Sequence, residues 1–475
     1  MRVSKKYINI IIIVMTVITM IINVAAAAPA VGELQKIRSS QHPDKVRIVF
    51  DLSVIPSYSV NYFPDLSYIQ IDMPNTVNKG ALSKLLFNDS HVSAVRIVEI
   101  EPRMQRVYIE LKATAVYNVF SLAKPSRLVI DIGRQFEQKV KTEISPGIMH
   151  TYWLRGQEGG PVTANILEVD LSKGYSIKPL LSNSAVQGLE TLSAMAEKAK
   201  AIAAVNGSYF ATNGQILGLM KLDSDIISVP AVARSAVGIM PDGGVFFDQV
   251  EYKGTVVLPG NKEITISGVN SDRGNDKLVV YTGFFGGTTQ TNRFGIEYTI
   301  ENNKVIAVNN GDSLIPPGAV VISAHGEAAQ RLEGLKVGDK VEIKQTLGSE
   351  WDKTRHAIGA GPTLVRDGNV FLTTKVEEFG SDVAGGRAPR TAIGLTQDKR
   401  LLLVTVDGRQ VHSTGLTLLE LALFMQELGA VDSINLDGGG STEMVIYDKV
   451  INKPSDGKER RMGNGLAIIA PQLAN

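Results

Sequence analysis

Leu401-Leu402-Leu403-Val404-Thr405-Val406-Asp407-Gly408-Arg409, then Thr417-Leu418-Leu419-Glu420 opening a run to Leu428, then Val431 to Leu436 and Asp437-Gly438-Gly439-Gly440-Ser441-Thr442, is the stretch that decides the fold. The first run is continuously apolar, as a strand covered on both faces must be. Thr417 and Glu420 have the spacing of a capping box, in which each side chain satisfies a free amide at a helix start. Gly429 stands where a left-handed helix end is wanted. Strand, helix, strand in that order predicts a βαβ unit with a parallel sheet, and such sheets place ligands beyond their carboxyl ends.

A third apolar run, Ala201 to Val205, ends in Asn206-Gly207-Ser208-Tyr209-Phe210 after a helical pattern that Thr191 opens. Three strands thus deliver Asn206, Asp407 and Asp437 onto glycine turns, where the main chain can approach a ligand closely. An ordinary turn needs one glycine rather than three, which singles out Asp437. Pro241-Asp242-Gly243-Gly244 and Arg366-Asp367-Gly368-Asn369 read instead as hairpin turns. Arg234 and Arg390 each precede a small polar residue, alanine, an aliphatic residue and glycine. With Arg409 they offer up to three guanidiniums, the fork that suits phosphate or carboxylate.

Outward from this region, residues 149–473 read as a mixed α/β (α+β) catalytic domain. Residues 33–135 read as a small all-β sandwich with one solvated face, because Val46–Leu52, Tyr68–Asp72, Arg106–Leu111 and Arg127–Ile132 alternate with period two. The polar stretch 136–148, ending in Pro146-Gly147, reads as a linker. At the amino terminus Arg2, Lys5 and Lys6 precede an apolar run and Ala25 to Ala28. Residues 1–28 therefore read as a signal peptide, and the protein as exported to the envelope or beyond. Membrane contact follows only if that segment is retained.

The chain has 475 residues, 44% hydrophobic and 20% charged, with 49 basic against 48 acidic side chains and no cysteine. This suits packed domains, disfavours a nucleic-acid partner and excludes thiolate chemistry and disulfides. Ser441 lacks the glycine two residues later that a nucleophile elbow needs, and no phosphate-binding loop of the Walker type occurs. The six histidines have no helical zinc spacing, although His356 and His412 lie near the glycine-rich segments. The residues require no cofactor and leave the metal state open, since calcium or magnesium needs only Asp and Asn oxygens.

AVNGSYF (204–210), GAGPTLVRDG (359–368), RTAIG (390–394), VTVDGR (404–409), INLDGGGST (434–442) and NKPSDGKERRMGNGLAI (452–468) together resemble the phosphodiester glycosidase family, over roughly residues 160–470. Ser208 stands where a second glycine is common, and Thr442 where serine is. The early RIVFDL, central RVYIEL and closing PSRLVIDI resemble the AMIN domain of bacterial envelope proteins, which implies a cell-wall or exopolysaccharide glycan as partner. The first resemblance implies a hydrolase cleaving the sugar C–O bond of a glycosyl phosphodiester. It implies Asp437 as base or nucleophile, Asp407 orienting it or acting as acid, and Asn206, Arg390, Arg409, Asn435, Gly438, Gly439 and Gly440 as substrate-binding residues. Arg234, from its strand-entry pattern, and Ser441, beside the glycines, are expected to join them. A non-catalytic glycan-binding protein and a metal-dependent phosphodiesterase cutting P–O remain open alternatives.

Overall fold

The computed structural model describes residues 30–63, 66–157 and 159–471. The signal-peptide reading of 1–28 lies outside them. Among the described residues no helix is long and apolar enough to cross a membrane.

Residues 32–133 form two five-stranded sheets, one ordered Thr76–Asn78, Gly32–Gln41, Lys45–Leu52, Ser126–Gly133, Val116–Ala123 and the other built around Tyr68–Pro74 and Met104–Leu111. Met104–Leu111 alternates half-buried and buried positions along its whole length, as period two dictates. The buried halves of both sheets, from Leu34 to Ile132, make one core.

The stretch 136–148 is not a linker. Phe136–Ser145 is a strand paired antiparallel with Ile148–Gly156, and Pro146-Gly147 is the hairpin turn between them, with Gly147 at φ 87°. Its polar composition reflects an exposed edge strand, covered on one side only where Lys139 lies over the Trp153 ring at 3.3 Å.

That hairpin opens an eight-stranded sheet in which Val162–Asp170, Arg400–Val406, Arg390–Thr396, Ala430–Asn435, Thr363–Arg366 and Asn369–Val370 follow in order. Every neighbouring pair is antiparallel. The α/β reading of the catalytic part is therefore wrong: the protein is mostly β, with 50% of residues in strands and 10% in helices. The helix Leu418–Glu427 does form, with its Thr417–Glu420 capping box complete. However, Arg390–Thr396 sits between the two strands that the helix connects. Two antiparallel steps restore the direction, so the ends bearing Asp407 and Asp437 still reach the same edge.

A five-stranded sheet containing Ala201–Asn206, Asn464–Ile469 and Met444–Ile446 packs against the first through Val205, Leu466, Ile393, Leu403 and Ile434. This packing brings Asn206 to the other two strand ends. The N-terminal sandwich reaches the same edge, where the Thr114 amide donates to the Val411 carbonyl at 2.7 Å.

Candidate active site

Asp437 follows the strand Ala430–Asn435 and is half-buried. Its Oδ1 accepts the Gly438 amide at 2.8 Å. Burial pushes its pKa up to about 6, against the opposing pull of the Ser441 hydroxyl, the Gly438 amide and the Arg460 charge. The following turn requires glycine at two places. Gly439 has φ 61°, and a Cβ on Gly440 would run into the Arg460 guanidinium. The Gly438 amide is taken by Asp437 and the Gly439 amide by the Pro389 carbonyl. These two amides are thus not available as an anion nest, and the glycines serve close packing.

Asn206 ties the two sheets together. Its Nδ2 donates to the Asp437 carbonyl at 2.6 Å, and its Oδ1 accepts the Thr391 hydroxyl at 2.6 Å and the Glu443 amide at 3.1 Å. It is buried and fully engaged, so it positions the Asp437 main chain. Asn435 Nδ2 donates to the Tyr209 hydroxyl at 3.0 Å and to the Gly361 carbonyl at 3.2 Å, while its Oδ1 is buried without a partner. Ser441 is buried, with its Oγ 3.4 Å from Arg460 Nη1.

Asp407 sits deeper. Its Oδ2 is 2.9 Å from His412 Nε2, and its Oδ1 accepts Asn452 Nδ2 at 3.2 Å and the Lys453 amide at 3.1 Å. With both oxygens taken, Asp407 pins the loop 407–413 to 452–453 and makes no hydrogen bond to Asp437. His412 therefore belongs to this brace. His356 lies elsewhere, its Nδ1 accepting the Asp223 amide at 3.1 Å, and burial lowers its pKa to about 4. Asp407→Ala is expected to destabilise the fold by about 1–3 kcal/mol, because the buried Asn452 amide and the part-buried His412 ring and Lys453 amide lose a shared acceptor. Urea unfolding checks this, and an unchanged midpoint would contradict the bracing role.

The three arginines separate. Arg390 is buried, with all its guanidinium nitrogens donating to main-chain carbonyls: Leu416 at 3.0 Å, Val383 at 2.9 Å and Gly386 at 3.1 Å. It is a tether for 383–416, and burial lowers its pKa. Arg409 is exposed at φ 59°, with its guanidinium alongside Gly439. Arg234 lies over the Phe379 ring at 4.3 Å, its Nε buried without a partner, and Phe379 in turn packs on Tyr209 with ring centroids 5.8 Å apart. Among the described residues, no carboxylate lies within ion-pair distance of Arg234 or Arg409. Arg460, which pairs with Asp456 at 2.7 Å, is the cation whose charge acts on Asp437.

Tyr209, Phe379 and Arg460 lie beside the candidate residues and were not singled out in the sequence. Tyr209 and Arg460 lie inside the motifs quoted above, whereas Phe379 lies in a stretch with no pattern to mark it. Behind the loop, Glu443 is completely buried, and burial with the neighbouring Glu459 carboxylate pushes its pKa up to about 9. A raised acid pKa favours folding below the ordinary value near 4.5 and loses that contribution as pH rises towards 9. Glu443→Gln is therefore expected to flatten the fall in melting temperature between pH 6 and 9. An unaltered pH dependence would exclude Glu443 as its source. Among the described residues no three His, Asp or Glu side chains gather as a metal-ion cluster.

Residues 276–469 match the phosphodiester glycosidase family. The chain is 25% identical over 297 residues to the SPbeta prophage-derived protein YomE of Bacillus subtilis, covering 62% of this chain and 32% of YomE. It is 34% identical over 102 residues to the mouse N-acetylglucosamine-1-phosphodiester alpha-N-acetylglucosaminidase, covering 20% of each chain. This chain thus spans a third or less of these relatives' length. A crystal structure of a hypothetical protein from Synechocystis shares the fold, with 22% identity and a TM-score of 0.65, covering 93% of this chain and 81% of that one. Asp437, Arg409 and Arg460 fall inside the matched segment, and Asn206, Tyr209 and Arg234 join them from outside it. Residues 276–469 are therefore similar to the phosphodiester glycosidases.

Proposed function

We propose that this protein hydrolyses the sugar C1–O bond of a glycosyl phosphodiester in an envelope or exopolysaccharide glycan. The observation that carries the reading is a half-buried carboxylate, Asp437, on a turn where Arg409 lies alongside Gly439, with Arg234 over the neighbouring Phe379–Tyr209 pair and no carboxylate within ion-pair distance of either arginine among the described residues. Uncompensated cations beside a half-buried acid suit a substrate that is itself anionic. In hydrolysis, water adds its oxygen to C1, directly or after attack by Asp437, and the C1–O electron pair leaves with the phosphomonoester. A phosphomonoester is a far better leaving group than an alcohol. A second carboxyl acting as acid, as in ordinary glycoside hydrolysis, is therefore dispensable. Asp407 then acts through the loop that carries Arg409 and not as an acid. Arg234 and Arg409 hold the phosphate, with Arg460 supporting them. Residues 33–135 serve as the glycan-targeting module, and 1–28 as the export signal.

The test is incubation of the protein with α-glycosyl phosphodiesters of N-acetylglucosamine, glucose and galactose. Release of free sugar, lost in Asp437→Asn, supports the reading. Glycan binding without release from any donor overturns it in favour of a silent binding protein.

A further inference from the structure

We propose that the group on the far side of the phosphate is apolar, so that the substrate is a sugar linked through phosphate to an alkyl or prenyl chain. The inference rests on the reading above and on the asymmetry of the walls. Ala430–Asn435, which leads into Asp437, lies between Arg390–Thr396 on one side and Thr363–Arg366 on the other. Beyond Arg390–Thr396 the rim is polar, with Arg409, Gln410 and Lys453 around the Asp407 loop. Towards Thr363–Arg366 it is apolar and aromatic. Tyr209 and Phe379 pack there with their rings tilted by 50°, and Arg234 lies over Phe379.

Leu217 extends this wall. Phe210 and Ile216 form an antiparallel bridge, and the Leu217 amide donates to the Tyr209 carbonyl at 2.9 Å. Tyr209 and Leu217 are therefore opposite each other and project from the same face of the hairpin. Yet Leu217 remains 49% exposed. The segment that delivers Phe379 adds Phe371, Leu372 and Val376, all exposed, with Val376 at 74%. Large apolar side chains left exposed on the two segments that deliver Tyr209 and Phe379 are a recognition feature more often than an accident. The rings of the wall are already engaged, Tyr209 and Phe379 with each other and Arg234, and Phe371 with the Arg366 guanidinium, while leucine and valine offer a sugar neither a stacking face nor a hydroxyl partner but suit methylenes. Arg234, lying on Phe379, fixes the phosphate at the border of this wall, so the second phosphoester runs onto it.

The experiment compares methyl, butyl and octyl esters of α-N-acetylglucosamine 1-phosphate as substrates, and methyl and octyl phosphate as ligands by calorimetry. Each fully buried methylene tightens binding about fourfold, so covering two or three raises kcat/KM roughly 15- to 60-fold from methyl to octyl, mainly through KM. Leu217→Asp and Val376→Asp are expected to collapse the octyl-to-methyl ratio towards one, and Leu217→Met to preserve it. Turnover with no chain-length dependence overturns the apolar subsite and leaves the hydrolase reading standing. Tighter binding of octyl phosphate without turnover of any ester overturns the hydrolase reading and leaves the subsite standing. Equal binding of the two phosphates with no turnover overturns both.

Discussion

Asp437→Asn is expected to lower kcat by about 10²–10⁴-fold, the range that a base or nucleophile at the reacting carbon supplies. The asparagine keeps the shape of the side chain and can still accept the Gly438 amide, so the loop stays in place. The pH behaviour is set by the same group. Asp437 must be ionised to act, and burial raises its pKa to about 6. Activity should therefore climb as pH rises through about 6 and level off above it. Stability runs the other way. A carboxyl whose folded pKa exceeds its ordinary value near 3.8 favours folding most below that value, and loses the contribution as pH rises through about 6. Asp437→Asn should therefore be at least as stable as the parent at pH 7, by about 1–2 kcal/mol for a part-exposed group. A variant that keeps full turnover, or an acid limb unmoved from the ordinary carboxylate range, would remove Asp437 from the chemistry.

The second large effect concerns the uncompensated cations. Arg234→Ala and Arg409→Ala are each expected to lower kcat/KM by about 10–150-fold, the worth of a charge-assisted hydrogen bond of roughly 1.5–3 kcal/mol. The loss should fall mainly on KM, since the phosphate is present in both ground and transition states, with a further loss in kcat as the leaving oxygen gains charge. Lysine should restore only part of it at either position, because a point charge does not replace a planar fork. Arg390 provides the contrast. Its nitrogens are already committed to the Leu416, Val383 and Gly386 carbonyls, so Arg390→Lys should lower the melting temperature more than it raises KM. Steady-state kinetics beside thermal unfolding separate the two roles. A rise in KM for Arg390→Lys with stability intact would place Arg390 on the phosphate after all.

These arginines show how far the letters could be read. Arg234-Ser235-Ala236-Val237-Gly238 and Arg390-Thr391-Ala392-Ile393-Gly394 are the same pattern, and both do begin strands. What separates them is whether main-chain carbonyls converge on the guanidinium, and that depends on loops lying 4, 7 and 26 residues away in sequence. The apolar run Leu401–Val406 correctly marks a strand covered on both faces, but such burial says nothing about the direction of the neighbouring strands. The intervening antiparallel strand Arg390–Thr396 was therefore invisible, and the parallel sheet was the wrong inference from a correctly read helix. The capping box and the hairpin turns at 241–244 and 366–369 were legible because each is a local device, whereas the contact of Asn206 with Asp437 spans 231 residues and showed only as a shared pattern of strand ends running into glycine. Pro146-Gly147 was misread for a related reason, since a hairpin turn and the end of a linker use the same two residues. Phe379 had no local signal, because it owes its place to contacts among three separate segments.

Solvent-oxygen labelling tests the account most directly. The protein, turning over an α-N-acetylglucosaminyl phosphodiester in ¹⁸O-water, should place the label in the released sugar and none in the phosphomonoester. Label in the phosphate would mean P–O cleavage, and would contradict a mechanism in which Asp437 directs attack at the sugar carbon.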